Sequence, residues 1–291
     1  MSAHIDNAVV LVVGSLHYDI MIATERLPQK DETAVGSRWF PKFGGKGGNQ
    51  AVSAAQYGAM VRFVGAVGAD DFGQFLRRNL TDAGLDDSQV TTIANVGSGM
   101  SVAISDAHGD YAATIVSGAN LHIDPAGLAD SAIWAGVNLL VLQNEVPEAV
   151  NIAASQAAHL RGVPVLLNAA PSRELSPLFR ALVDILVVNA VEAQMMGAEE
   201  VCGLDSAARA ARTLASRFRT VIVTAGAQGL AVSPAVGDAF EIPAENVIAI
   251  SSHGAGDAFI GALAAKLAAK ADLKSACIAA SQAAARHVAT G

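Results

Sequence analysis

Near-continuous apolar, largely β-branched runs punctuate the chain at 8–14 (AVVLVVG), 61–67, 138–143, 163–168, 185–189 and 220–225. A strand that is apolar at nearly every position is covered on both faces, as in a parallel sheet between two helical layers. Between these runs lie alanine-rich segments of helical period, at 49–57, 73–82, 146–160, 206–217 and 258–269. Strand and helix alternating at this spacing predict a three-layer α/β/α sandwich with a mostly parallel central sheet. Two stretches break the alternation. Residues 19–43 carry only short extended pieces around Pro28 and Pro41, and residues 99–118 read as a hairpin with its turn at 106–110 (DAHGD). Such excursions either pair into a small separate sheet, as lids do, or remain surface loops.

Composition narrows the class. The 291 residues are 52% hydrophobic and 16% charged, which excludes a disordered chain. Mean hydropathy is +0.38, yet no stretch reaches 18 uninterrupted apolar residues, so no membrane role is expected. Nineteen basic against twenty-seven acidic residues give a net charge of −8, without the basic footprint of a nucleic-acid binder. Residues 1–7 show no basic region ahead of an apolar run, so no secretory leader is expected and the location expected is cytoplasmic. Cys202 and Cys277 are then expected as free thiols.

The candidate chemistry lies in glycine clusters. Phe43-Gly44-Gly45-Lys46-Gly47-Gly48-Asn49 runs directly into a predicted helix. Four glycines in five positions let the backbone approach a ligand, and a helix start offers N–H groups to anions or hydroxyls. Lys46 is followed by Gly, so this is not a Walker A loop, and a flexible hinge is an equal alternative. Gly254-Ala255-Gly256-Asp257 opens a second helix, where successive N–H groups can form an anion hole. There Asp257 could take a proton from a hydroxyl while those groups hold a phosphoryl group, or it could simply cap the helix. Asn189 and Glu192 follow a strand and suit either a metal–phosphate unit or a capping box. Thr224, Gly226 and Gly229 then end another strand in a turn open to a nucleotide.

In their order these motifs, with Gly14-Ser15…Asp19, Gly68-Ala-Asp-Asp-Phe-Gly73 and Asn168-Ala-Ala-Pro171, resemble the ribokinase-like (PfkB) family of sugar and nucleoside kinases. The likeness spans almost the whole chain. It is greatest to the family's ribokinase branch, through Gly44 to Ala51 (GGKGGNQA) and Pro171-Ser-Arg-Glu-Leu-Ser. The resemblance implies one ribokinase-like domain over 1–291, with a β-lid formed by about 17–43 and 99–118. It also implies transfer of a phosphoryl group from ATP to a primary hydroxyl, with Asp257 as base and Gly254, Ala255 and Gly256 as the anion hole. Asp19, Gly44, Gly45, Lys46, Asn49 and Glu145 would hold sugar hydroxyls, alongside His17. Asn189, Thr224, Gly226 and Gly229 would hold the nucleotide, and Glu192 would meet Mg²⁺ through water. The lid forms a dimer interface in some members, so a homodimer is a further expectation.

Three departures qualify what the resemblance implies. His17 stands where the family often has Asn, which alters the sugar pocket. The run Ile250-Ser251-Ser252-His253 lacks the Asp of potassium-activated members, so Ser251 leaves a K⁺ site without its carboxylate. The chain ends at Gly291, where members continue, so an incomplete cation and adenine site is expected. A sugar kinase is the leading reading. A nucleoside kinase would be favoured by Tyr18 or Trp39 stacking on a base, and a weakly catalytic regulatory binder by the altered cation segment. A dinucleotide oxidoreductase fails, because Gly14-Ser-Leu-His-Tyr-Asp19 after the first strand is no glycine-rich turn.

Overall fold

The computed structural model describes residues 8–106, 111–251 and 253–290. The leader reading at 1–7, most of the expected hairpin turn (107–110), Ser252 and Gly291 lie outside the described residues. The chain opens with β1 (Val9–Val13), β2 (His17–Thr24) and β3 (Gly36–Gly44), then α1 (Lys46–Gln56) and β4 (Met60–Gly68). It continues through α2 (Asp71–Asp82), β5 (Asp86–Ile93), β6 (Met100–Ser105), β7 (Tyr111–Val116), β8 (Val137–Gln143), α3 (Glu148–His159) and β9 (Val165–Asn168). There follow α4 (Pro177–Ala181), β10 (Ile185–Asn189), α5 (Ala190–Met195), α6 (Leu204–Leu214), β11 (Thr220–Thr224), β12 (Gly229–Ser233) and β13 (Phe240–Pro243). The last elements are α7 (Ala255–Ala268) and α8 (Leu273–Thr290).

A nine-stranded sheet runs β13-β12-β11-β10-β9-β8-β1-β4-β5, antiparallel only at the β11–β12 and β12–β13 pairings. Alternation along β1 shows why both faces are apolar. Val10 and Val12 join one buried cluster with Ala51 and Ala54 of α1 and Phe259 of α7, while Leu11 and Val13 join the other with Val150 and Ala154 of α3. The chain goes from β1 to β4 and β5 on one side, then crosses to β8 on the other. In open α/β sheets, ligands bind at the carboxyl ends of strands where the order reverses in this way.

The two excursions do pair with each other. They form a four-stranded sheet, β3-β2-β6-β7, joined by a parallel β2–β6 pairing. Pro41 sits opposite Ile20 in β3, an edge strand, where its missing N–H breaks no ladder. Tyr18 of β2 stacks on Phe72 of α2 with ring centroids 3.9 Å apart, and meets Phe75 edge-on. Sequence periodicity misses β5, whose residues are mostly polar and partly exposed, the short strands β12 and β13, and α8, where alanine all round leaves little amphipathic contrast.

Helices α1 and α7 cross in close contact over the sheet. A Cβ at Gly261 would lie 2.3 Å from Ser53 Cβ and 2.6 Å from Ala54 N, so only glycine fits there. Ser53 Oγ also donates to the Ala258 carbonyl at 3.1 Å. We expect Gly261→Ala to lower stability by about 1–3 kcal/mol through overpacking, as read by denaturant unfolding. An unchanged midpoint would contradict so tight a crossing.

Candidate active site

The crossing of α1 and α7 brings two glycine-rich helix starts to the carboxyl ends of β1, β8 and β9. Close backbone approach makes this possible. A Cβ at Gly14 would lie 2.1 Å from Gln143 Oε1, and one at Gly47 would lie 2.6 Å from Ser15 N.

Asp257, in the first turn of α7, is held by amides from α1. Gln50 Nε2 donates to Asp257 Oδ1 at 2.9 Å and Asn49 Nδ2 to Oδ2 at 3.2 Å. Gln50 Nε2 also donates to Asn168 Oδ1 at 3.0 Å, and Gln50 Oε1 accepts from Gln143 Nε2 at 2.9 Å. A chain of side-chain amides therefore links β8, α1, β9 and α7. Burial pushes the Asp257 carboxyl above its ordinary pKa, against the pull of Lys46 and the two amide donors. Gly254 precedes α7 in the left-handed region (φ 88°) and has no side chain with which to cap it. The helix start is thus open to an outside acceptor.

The start of α1 behaves differently from the open N–H site that its glycines suggest. The Lys46 N–H donates to Glu145 Oε2 at 2.8 Å, Gly47 N–H to Ser15 Oγ, Gly48 N–H to Ser15 O and Asn49 N–H to Gly45 O. Ser15 Oγ donates to Glu145 Oε2 at 2.5 Å. Four donors of this helix end are satisfied within the protein, and Gly45 takes the turn with φ 87°. What the cluster presents outward is therefore its side chains, Lys46 and Asn49.

Beside it, Asp19 Oδ1 accepts from Ser101 Oγ at 2.5 Å, and burial raises its pKa. A Cβ at Gly44 would fall 1.9 Å from Asp19 Oδ2, so that carboxylate needs a glycine opposite it. His17 is 3% exposed, and its Nε2 has no hydrogen-bond partner among the described residues. Lys46 and Glu145 both lie within electrostatic reach of Asp257, as does His253.

On the far side, Asn189 and Glu192 form a capping box at α5. Asn189 Oδ1 accepts from the Glu192 N–H at 2.8 Å and Glu192 Oε2 from the Asn189 N–H at 2.9 Å. One Glu192 oxygen is engaged this way. Burial raises its pKa, and its carboxyl feels both Lys46 and Asp257. Thr224, opposite Asn189 in the sheet, opens a cavity of about 550 Å³ that also takes in Gly226, Gly229, Ala255 and Gly256. Its apolar wall comes from Phe259 and from Ala284, Ala285 and Val288 of α8. The N–H groups of Ile250 and Ser251 both donate to the Val288 carbonyl, and His287 Nε2 lies 2.9 Å from the His253 carbonyl oxygen. The end of α8 thereby fixes the segment leading to Gly254.

The structure thus gathers Asp19, His17, Gly44, Gly45, Lys46, Asn49 and Glu145 on one side of Asp257. It gathers Thr224, Gly226 and Gly229 around the cavity on the other, with Gly254, Ala255 and Gly256 between them. Gln50, Gln143, Asn168 and Ser101 join the site with no distinctive signal in the sequence, although Gln50 directly follows the first glycine cluster and Asn168 begins Asn168-Ala-Ala-Pro171. Nothing in the alanine-rich sequence of α8 signalled its place in a cavity wall.

The chain matches the family described as pfkB family carbohydrate kinase over residues 7–290. A ribokinase of Mus musculus is 36% identical over 265 residues, covering 90% of this chain and 82% of that protein. A deoxyribokinase of Salmonella typhi is 32% identical, covering 88% and 84%. The structure of Arabidopsis thaliana ribokinase complexed with ribose and ATP superposes with a TM-score of 0.87 at 26% identity, covering 96% of this chain and 92% of that one.

The raised pKa of Asp257 has a consequence for stability. A carboxyl that holds its proton more tightly when folded stabilises the fold at acid pH and loses that contribution as pH rises through the folded pKa. Asp257→Asn removes the buried ionisation. We expect this variant to be more thermostable than the parent at pH 7, with the gap narrowing towards pH 4. Equal melting points across that range would count against a desolvated carboxylate.

Proposed function

The chain belongs to the pfkB family of carbohydrate kinases, phosphotransferases with an alcohol acceptor, and on that premise we propose that it moves the γ-phosphoryl group of ATP to a primary hydroxyl of a ribose-like pentose or related sugar. One observation carries the reading. A buried carboxylate, Asp257, sits at the open start of α7 between a polar cleft and a largely apolar cavity. Desolvation raises its proton affinity, so it can draw on the acceptor hydroxyl as the oxygen–phosphorus bond forms. The bond to the β-phosphate breaks, ADP leaves, and the Asp257 proton passes to solvent. The N–H groups of Gly254, Ala255 and Gly256 meet the charge on the transferring group, where catalysis is mostly positioning and electrostatics.

On this reading Asp19, Asn49 and Glu145 take sugar hydroxyls, Lys46 offers its ammonium, and Gly44 and Gly45 leave room for the ring. His17, with Nε2 unpartnered, supplies an altered contact in the same pocket. Asn189, Thr224, Gly226 and Gly229 line the nucleotide, whose base suits the apolar wall of Phe259 and α8. The free oxygen of Glu192 suits a hard cation held largely through water. Mg²⁺ there would neutralise phosphate charge. The small sheet, spanning about 17–43 and 99–118, closes the sugar side as a lid on a one-domain protein. Its exposed Trp39, Phe40, Ile115 and Val116 fit a homodimer contact. The nucleoside reading gains nothing from Tyr18, whose ring is already stacked on Phe72.

An ADP-release assay over D-ribose, 2-deoxyribose, hexoses and nucleosides tests the proposal. A pentose should turn over fastest, and Asp257→Asn should cost about 10²–10⁴-fold in kcat. Full activity in that variant would remove the base, and no turnover on any acceptor would favour a regulatory binder. Because Ser251 supplies no carboxylate, replacing Na⁺ with K⁺ should change the rate less than about twofold. A large K⁺ activation would contradict the assignment at Ser251.

A further inference from the structure

Glu145 stands on the loop after β8, and Arg173 on the loop after β9. Arg173 Nη1 donates to the carbonyl oxygen of Val146 at 2.9 Å and reaches that of Asn144 at 3.5 Å. These are the two residues flanking Glu145. The same loops are joined twice more, by the Asn144 N–H to the Ala170 carbonyl at 2.9 Å and by Asn144 Nδ2 to the Pro171 carbonyl at 3.0 Å. Every one of these bonds grips a neighbour of Glu145 and leaves its carboxylate free to meet Ser15 Oγ and the Lys46 N–H.

A guanidinium is a costly way to join two loops. Nε and Nη2 of Arg173 are buried without a partner among the described residues, as is Asn144 Oδ1. Desolvation pushes the Arg173 pKa down, with Glu148 as the charge opposing it. A half-buried cation whose unpaired donors are out of reach of water lowers stability unless something else requires it. What Arg173 supplies is one nitrogen, Nη1, held by the planar guanidinium between the two carbonyls on either side of one residue.

We propose that Arg173 is a positioning residue for the sugar site, fixing the backbone on both sides of Glu145 so that its carboxylate keeps one orientation towards the acceptor. The proposal rests on the reading of Glu145 as a sugar contact. It assigns Arg173 no contact with sugar, nucleotide or the transferring group. Lysine keeps the charge, but its ammonium sits one bond nearer the backbone and lacks the planar group that holds Nη1 between the two carbonyls, so Arg173→Lys should loosen the Glu145 loop without emptying the site.

The test compares the parent with Arg173→Lys, Arg173→Ala, Glu145→Gln and the Arg173→Lys/Glu145→Gln double variant. All are assayed on the acceptor that the parent turns over fastest in the panel above, with thermal unfolding alongside. Arg173→Lys should raise the sugar KM roughly tenfold while leaving the ATP KM within about twofold. Glu145→Gln should raise the sugar KM by itself, and adding Arg173→Lys should make it no worse, because both changes act through one carboxylate. Guanidinium ion added to Arg173→Ala should restore part of the lost sugar affinity. An unchanged sugar KM in Arg173→Lys, or an effect fully additive with Glu145→Gln, overturns the proposal. Equal rises in both KM values would do the same, as would loss of the folded protein in both Arg173 variants, since each marks a merely structural part. A Glu145→Gln variant with the parent's sugar KM would instead overturn the reading of Glu145 itself.

Discussion

A carboxylate taken out of water must find enough polar company to ionise, and at Asp257 that company comes from three other elements. Gln50 and Asn49 reach it from α1, Gln50 is oriented by Gln143 of β8 and Asn168 of β9, and Lys46 adds a positive charge. A buried amide chain of this kind is costly wherever a group is left unpaired, and here Gln143 Oε1 has no partner among the described residues. The positions of β8, β9, α1 and α7 are therefore coupled through hydrogen bonds as well as through the core. Shifting one helix by a fraction of an ångström would break the bond to Asp257 before it opened a cavity.

Glycine makes this convergence possible in two distinct ways. At Gly261 and Gly47 it removes bulk, so that α7 rides on Ser53 and α1 presses on the backbone at Ser15. At Gly254 it supplies a left-handed turn, and a side chain there would also strike His287. Three hydrogen bonds from the end of α8 to residues 250, 251 and 253 brace that turn from outside. Open N–H groups at a helix start serve an incoming anion only if the turn before them holds still.

The fold was largely legible because its strands are sandwiched. β1 and β8 to β11 are apolar at nearly every position, and only burial on both faces explains that pattern. The partnership of β2 and β3 with β6 and β7 was open to inference only as a possibility, since pairing across some 80 positions leaves no local signal. In the site, glycine and charge were visible while neutral amides were not. Gln50, Gln143 and Asn168 look like ordinary polar residues until the crossing of α1 and α7 sets them in a row. The glycines at 44–48 carried the opposite error. They promise open backbone donors, but Ser15 and Glu145 approach from residues far away in sequence and take those donors first. The helix α8 escaped for a simpler reason, its alanines giving no face to read.

On the proposed reading anion binding is left to α7, and this bears on how Asp257 would be switched on as a base. Asp257 and an incoming phosphoryl group would share the same positive helix end, each adding negative charge to the other's surroundings. A second negative charge within a few ångströms raises a carboxyl's pKa further. On the proposed reading burial already raises the proton affinity of Asp257 in the free protein, Lys46 and two amides oppose that rise, and a seated donor adds to it. Proton transfer would then be favoured only in the presence of both substrates. The coupling would need no moving part, since it follows from placing one carboxylate and three N–H groups at the start of a single helix.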